Sequence, residues 1–128
     1  MTLVDAGFLI DFLRGKTEAR ARMKAAESAG EVLYVTPIVA YEVLVGAYAA
    51  GGKTMVRARE LVRSLSFLNL DVEAVEEAAR TGADLRKLGT PIGPMDTLNA
   101  GAALQHHERI LTRDTDYARV RGLVVESY

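Results

Sequence analysis

The sequence predicts an α/β fold in which helices cover both faces of a parallel sheet. Short apolar segments alternate along the chain with longer helical segments, and this alternation is typical of parallel sheets. Of the 128 residues 49% are apolar and none is cysteine, so the core depends on hydrophobic packing and not on disulfide bonds. We expect one domain spanning residues 1–128.

The first half of the chain predicts two strands and four helices, with glycines at several turns. Thr36-Pro37 is typical of a helix start, because threonine caps the first turn and proline suits the first helical position. In chain order the predicted elements are strand Thr2–Val4, helix Phe8–Arg14, helix Thr17–Ala29, strand Val32–Val35, helix Pro37–Ala50 and helix Lys53–Ser66.

The second half predicts three strands and three helices around one loop, residues 89–94. Asp71 is the expected cap of a long amphipathic helix. The stripe expected to be buried on that helix is formed by Val72, Val75, Ala79, Ala83 and Leu85. In chain order the predicted elements are strand Phe67–Leu70, helix Asp71–Leu88, helix Met95–His106, strand Arg109–Leu111, a short helix over Asp114–Val120 and strand Leu123–Val125.

Three acids are each the only charged side chain in an apolar stretch. The stretches are 1–10 around Asp5, 32–52 around Glu42 and 88–107 around Asp96. Burying a charge is unfavourable unless the charge is paired or binds a cation. Glu42 lies in the middle of a predicted helix and cannot cap it. It must therefore point into a cleft or a partner, or pair with an arginine such as Arg113.

The acids also fall where a sheet of this type places its ligands. Asp5 and Asp114 each follow a predicted strand, and Asp96 opens a helix, so the carboxyl edge of the sheet would bring them together. Several carboxylates in one pocket repel each other unless a cation binds. Oxygen ligands favour Mg²⁺ or Mn²⁺, which assist phosphodiester hydrolysis. Simple helix capping remains the alternative for Asp96, Asp114 and Asp116, and Asp11 is predicted to be a surface acid.

The overall charge does not indicate a nucleic-acid-binding protein, since the formal net charge is −1. Nucleic-acid binding would need local basic patches, although charged helix faces are commonly just solvated. The candidate patches are Arg57, Arg59 and Arg63, and Arg80, Arg86 and Lys87. The apolar run 32–52 is interrupted by proline, glutamate and glycine, so no membrane segment is predicted. We expect a cytoplasmic protein.

Four segments of the chain resemble the PIN-domain superfamily, and within it the VapC toxins of prokaryotic toxin-antitoxin pairs. The segments occur in the family order and extend from residue 2 to about residue 126. They are Val4-Asp5 with Phe8 to Asp11, Thr36 to Ile38 with Tyr41-Glu42, Pro91 to Asp96, and Leu111 to Tyr117. The chain departs from the family at Ala6-Gly7, where a threonine or serine usually follows the first acid.

The resemblance implies a three-layer α/β/α fold around a parallel sheet of about five short strands. It implies a metal-dependent endoribonuclease that cleaves structured RNA such as tRNA, is inhibited by a cognate antitoxin and forms a homodimer. The implied catalytic acids that hold Mg²⁺ or Mn²⁺ are Asp5, Glu42, Asp96 and Asp114, with Asp116 as a fifth acid and Thr112 as a hydroxyl lining the same pocket.

The surface for these partners is predicted from two apolar segments, Ile38–Tyr48 and Met55–Leu68. They carry more hydrophobic surface than one face of a small sheet can cover, so we expect a dimer seam and a groove for an antitoxin peptide. Two alternatives remain open at the level of sequence. The chain could be a PIN nuclease of RNA processing that is not a toxin, or an interaction module whose acids accept a partner's arginine.

Overall fold

The computed structural model describes residues 1–128, in which strands and helices alternate. The strands are β1 Thr2–Val4, β2 Leu33–Val35, β3 Ser66–Phe67, β4 Arg109–Leu111 and β5 Val125–Glu126. The helices are α1 Ala6–Leu13, α2 Thr17–Ala29, α3 Pro37–Ala50, α4 Gly52–Ser64, α5 Val72–Lys87 and α6 Pro94–Gln105, and a 3₁₀ helix covers Thr115–Arg119. No helix is long and apolar enough to cross a membrane.

The five strands form one parallel sheet in the order β3-β2-β1-β4-β5. The first strand lies at its centre, with Leu3 beside Tyr34 of β2 and Ile110 of β4. Because every strand runs in the same direction, all the carboxyl ends lie at one edge of the sheet. The predicted parallel sheet of about five short strands is confirmed.

The side chains of the central strands alternate between two helical layers. Leu3 and Ile110 pack in the cluster that contains the α5 and α6 residues, whereas Val4 and Leu111 pack with α1 to α4. This alternation follows from the two-residue period of a strand, and all four side chains are fully buried. The predicted three-layer α/β/α arrangement is confirmed.

The predicted helix caps at Thr36 and Asp71 are present. The Thr36 hydroxyl accepts a hydrogen bond from the backbone N–H of Val39 at 3.1 Å, and the Asp71 carboxylate accepts one from Ala74 at 2.9 Å. Pro37 occupies the first turn of α3. These local signals therefore fix where the two helices start.

The buried stripe predicted for α5 is wrong at four of its five positions and right at Leu85. The buried residues of the helix are Ala74, Ala78 and Leu85, while Val72 is 64% exposed. The cause is the close approach of α6, where a Cβ on Gly101 would lie 2.6 Å from both the backbone nitrogen and the Cβ of Ala78. Small side chains therefore face each other where the two helices meet, and the larger valines point outward.

Element boundaries differ from the prediction mainly at short elements. Helix α1 begins at Ala6, two residues earlier than expected, because Asp5 is its cap. Strands β3 and β5 have two residues each, at Ser66–Phe67 and Val125–Glu126. The segment after Asp114 is a 3₁₀ helix. These shifts change no layer of the fold.

Candidate metal centre

A cleft of about 320 Å³ lies at the carboxyl edge of the sheet, and we call it the acid pocket. It is lined by carboxylates that come from five different segments of the chain. These are Asp5 after β1, Asp11 in α1, Glu42 in α3, Asp96 in α6 and Asp114 after β4. The predicted convergence of Asp5, Glu42, Asp96 and Asp114 is thus present in the structure.

Thr112 joins two of these acids. Its hydroxyl donates a short hydrogen bond to Oδ2 of Asp5 and accepts one at 2.9 Å from the backbone N–H of Asp114. The other oxygen of Asp5 accepts from the backbone N–H of Phe8 at 2.8 Å, which makes Asp5 the N-cap of α1. Asp5 is only 7% exposed. Its carboxylate is therefore held in one orientation at the floor of the pocket.

Asp96, Asp114 and Asp116 form the tightest group of acids. One carboxylate oxygen from each lies within 4.8 Å of the others. The Tyr117 hydroxyl donates to Oδ1 of Asp96 at 3.0 Å, and the Asp114 carboxylate accepts from the backbone N–H of Asp116 at 2.9 Å. Asp114 therefore does cap the 3₁₀ helix, as the capping alternative proposed, and also faces the acid pocket.

Glu42 is half-buried in the pocket wall and forms no ion pair. The proposed partner Arg113 instead lies 3.7 Å from Glu18 and stacks 4.5 Å above the Tyr128 ring. Behind Glu42, the side chain of Asn99 accepts a hydrogen bond from the Thr36 hydroxyl. The ion-pair alternative for Glu42 is therefore wrong, and the expectation that it points into a cleft is confirmed.

The pocket raises the pKa of three of its acids. Burial raises the pKa of Asp5 above its ordinary value, the charges of Asp114 and Asp96 raise it further, and the hydrogen bonds from Thr112 and Phe8 offset part of the effect. Burial and then the charges of Asp96 and Asp5 raise the pKa of Glu42. For Asp96, burial comes first and the charges of Asp114 and Asp116 add to it. The pocket therefore favours proton uptake or cation binding.

The donor set fits a hard divalent cation. Every candidate ligand is a carboxylate oxygen, no histidine lines the pocket, and the chain has no cysteine. Oxygen ligands of this kind suit Mg²⁺ or Mn²⁺ better than zinc, which favours nitrogen and sulfur. Of the five predicted metal ligands only Asp116 pairs with a cationic side chain, Arg119, at 3.4 Å. The other four form no ion pair, and the five acids of the pocket outnumber its two arginines, Arg14 and Arg113, so negative charge remains for an external cation.

Three further side chains line the pocket without having been predicted as part of it: Asn99, Asp11 and Tyr128. Asn99 lies one helical turn after Asp96 on α6, a spacing that would have suggested a shared face. Asp11, predicted to be a surface acid, is half-buried and accepts a hydrogen bond from the Tyr128 hydroxyl at 2.7 Å. That contact joins residues 117 positions apart, and no local pattern signals it.

Residues 2–123 match the PIN domain family, and the chain belongs to it. Ribonuclease VapC1 of Rickettsia felis is 30% identical over 129 residues, which cover 96% of this chain and 92% of the relative. The family resemblance predicted from four sequence segments is therefore confirmed.

Solved structures share the fold over nearly the whole chain. VapBC2 from Rickettsia felis, bound to a DNA fragment from its promoter, superposes with a TM-score of 0.85 at 14% identity, covering 99% of this chain and 98% of that one. DNA-bound VapBC from Salmonella typhimurium gives a TM-score of 0.81 at 23% identity, covering 98% and 96%. A toxin-antitoxin complex from Klebsiella pneumoniae gives 0.75 at 25% identity, covering 97% and 96%.

Proposed function

We propose that this chain is a metal-dependent endoribonuclease of the VapC type, which cleaves structured RNA such as tRNA and is inhibited by a cognate antitoxin. The observation that carries the proposal is the convergence of Asp5, Glu42, Asp96 and Asp114 on one pocket. The 30% identity to a ribonuclease supports the reaction class. A bacterial toxin of this kind would act in the cytoplasm, where its RNA substrate is found.

The residues that would hold Mg²⁺ or Mn²⁺ are those whose carboxylates line the acid pocket or adjoin it. When bound, such an ion supplies a water of lowered pKa and positive charge against the scissile phosphate. The proposed ligand and catalytic set is Asp5, Glu42, Asp96 and Asp114, with Asp116 as a further metal ligand.

Hydrogen bonds within the chain would hold these carboxylates in fixed orientations before substrate binds. The Thr112 hydroxyl is hydrogen-bonded both to the Asp5 carboxylate and to the backbone N–H of Asp114. The Tyr117 hydroxyl is hydrogen-bonded to one carboxylate oxygen of Asp96. Side chains that orient acidic ligands in this way commonly change affinity or activity by 10–100-fold when they are replaced. Thr112 and Tyr117 are therefore positioning residues in this proposal.

Cleavage of RNA by the purified chain tests the proposal. We expect cutting with Mg²⁺ or Mn²⁺, none with EDTA, and 5′-phosphate and 3′-hydroxyl ends, because water and not the 2′-hydroxyl attacks phosphorus. Asp5→Asn is the matched control, since asparagine also caps a helix and preserves the start of α1. Cyclic phosphate products, or cutting that survives EDTA, would contradict the proposal.

The proposed partners would use two apolar surfaces near the pocket. Tyr41, Val45 and Tyr48 are each at least half exposed and lie along one face of α3, which suits a homodimer seam. A groove of about 420 Å³ between α1, α3 and α4 adjoins the acid pocket, with which it shares Ile10 and Arg14. An antitoxin segment in this groove could place an arginine against the carboxylates, which suit a guanidinium.

Co-expression with the neighbouring small gene, followed by affinity purification and light scattering, tests the partners. We expect a complex that contains two copies of this chain, with inhibition that weakens as Mg²⁺ is raised. A chain that cuts RNA but stays monomeric, binds no such partner and leaves growth of the host unaffected would instead be an RNA-processing PIN nuclease.

A further inference from the structure

A second cleft, of about 490 Å³, lies between α5 and the end of the 3₁₀ helix. We call it the basic cleft because four cationic side chains line it. They are Arg80, Lys87, Arg119 and Arg121, and the acids in its wall are Glu77 and Asp84. Its volume falls within the range of about 300–1,000 Å³ that is usual for ligand sites.

Two of these cations are free of acidic partners. Arg80 pairs with Glu77 at 2.7 Å and Arg119 with Asp116 at 3.4 Å. Lys87 and Arg121 form no ion pair within 4.0 Å, although both are exposed. The four cations of the cleft outnumber its two acids, so the cleft carries net positive charge in a chain whose formal net charge is −1.

The basic cleft adjoins the acid pocket through one short segment. Asp114 and Tyr117 line the acid pocket, and Arg119 to Arg121 line the basic cleft. Arg119 spans the boundary, since its guanidinium lies beside Asp116 and donates to the carbonyl oxygen of Pro91 at 3.2 Å. A polymer that extends past Asp116 would therefore meet Arg119 next.

We propose that the basic cleft binds the sugar-phosphate backbone of the RNA on one side of the cleavage position. This inference rests on the proposed function, because a strand that places one phosphate among carboxylates must find cations for its neighbouring phosphates. Backbone contacts carry no sequence information directly. The cleft therefore strengthens binding and positions the strand for any RNA sequence. Selection of a particular sequence must come from other features.

The salt dependence of RNA binding tests the proposal. The double variant Lys87→Gln/Arg121→Gln is compared with Lys24→Gln/Arg20→Gln, which makes the same change of charge on α2, where both side chains are exposed and neither has an acidic partner. All are made in an Asp5→Asn background so that the probe survives. The probe is a fluorescein-labelled single-stranded RNA, and its affinity is measured by anisotropy over a KCl series with Mg²⁺ present.

We expect the cleft variant to bind roughly tenfold more weakly near 0.1 M salt, with a logarithmic salt slope shallower by about 1.4, since each lost contact on a single strand removes about 0.7. The α2 variant should keep the parental slope. An unchanged slope in the cleft variant, or the same loss in both variants, overturns the proposal. Thermal melts confirm that each variant is folded.

The outcome is separable from that of the proposed function. If the wild type cuts RNA but the cleft variant keeps the parental slope, the proposed RNA-binding role of the basic cleft is wrong, and the proposed nuclease activity is unaffected. If the wild type binds RNA through the cleft but never cuts it, the proposed nuclease activity is wrong, and the proposed RNA-binding role of the cleft is supported. Failure to bind any RNA contradicts both.

Discussion

Carboxylates gather in two regions of this protein, and only one of them holds its acids in ion pairs with arginine. Around α2, Arg22 lies between Glu31 and Glu126, at 2.8 and 2.6 Å from their oxygens. In the acid pocket, Asp5, Glu42 and Asp96 lie together with no ion pair to any of the three. We call the first region the arginine network.

The two regions shift the pKa of their acids in opposite directions. Hydrogen bonding to Arg22 lowers the pKa of Glu31 to about 2, and the Thr2 hydroxyl adds to this effect. Burial and mutual repulsion raise the pKa of the acids in the pocket. The comparison teaches that this chain supplies its own counter-charge where acids stabilise the fold. Where acids carry the proposed activity, the chain leaves the counter-charge to a ligand.

The largest expected effect comes from the same chemical change made in each region. Asp96→Asn should abolish Mn²⁺ binding and lower RNA cleavage by more than about 100-fold, beyond what residues that merely orient ligands contribute. Glu31→Gln should leave both properties unchanged. Titration calorimetry with Mn²⁺ and a cleavage assay give the two readouts. Equal Mn²⁺ affinity in wild type and Asp96→Asn would refute the assignment of the pocket.

Removing the counter-charge should break the arginine network without touching activity. Arg22→Met removes the charged hydrogen bonds that Arg22 donates to Glu31 and Glu126, while Arg109 still donates to Glu126 at 3.3 Å, and should lower the free energy of unfolding by about 2 kcal/mol, allowing for partial solvent screening. Urea denaturation measures this loss. Cleavage per folded molecule should stay at the wild-type value, and a large drop would mean that the two regions are coupled.

The pH dependence of stability should carry opposite signs in the two regions. Acids with a raised pKa bind more protons in the folded state, so the stability they contribute is present below their ordinary pKa values, 3.8 for Asp and 4.5 for Glu, and is lost as pH rises through the raised values. The contribution of Glu31 is present above 4.5 and is lost as pH falls toward about 2.

Thermal melts in EDTA test the sign of this pH dependence for the acid pocket. Asp96→Asn should melt above the wild type at pH 7.5 and should lose that advantage below pH 3.8, the ordinary pKa of Asp, where the wild-type carboxyl becomes protonated in both states. The change in melting temperature caused by Asp96→Asn should be smaller in size than the change caused by Arg22→Met, because the pocket is partly solvated. Adding Mg²⁺ should raise the wild-type melting temperature at pH 7.5 and not that of Asp96→Asn. A wild type that is the more stable of the two at pH 7.5 in EDTA would contradict the account.

The smallest expected effect concerns Gly7, in the Ala6-Gly7 pair where this chain departs from the family resemblance. A Cβ there would lie 3.5 Å from Oδ1 of Asp5, an ordinary contact, so Gly7→Ser fits and brings a hydroxyl to the pocket. Replacing a helical glycine should also stabilise α1 by about 0.5 kcal/mol. We expect a modest rise in Mn²⁺ affinity, with Gly7→Ala as the control that has the same backbone benefit and no hydroxyl.

Much of this site was predictable because its acids interrupt apolar runs. Asp5, Glu42 and Asp96 are each isolated in sequence, and a parallel sheet gathers strand ends at one edge. The contact of Asp11 with Tyr128 was not predictable, since it depends on where the last residues cross the sheet edge. The α5 stripe was missed for a related reason. Its buried face is decided by Gly101 on another helix, and hydrophobicity along α5 alone favours the valines.

The central place of β1 also sets when the acid pocket can exist during synthesis. Asp5 is made before its hydroxyl partner Thr112, which follows 107 positions later, directly after the strand β4 that pairs with β1. Such long-range pairing closes slowly compared with local helix formation. A growing chain that lacks β4 also lacks Thr112 and Asp114, so it cannot assemble the pocket. The ribosome that makes this protein is therefore exposed to the assembled acid pocket only after β4 and the residues that follow it have been translated.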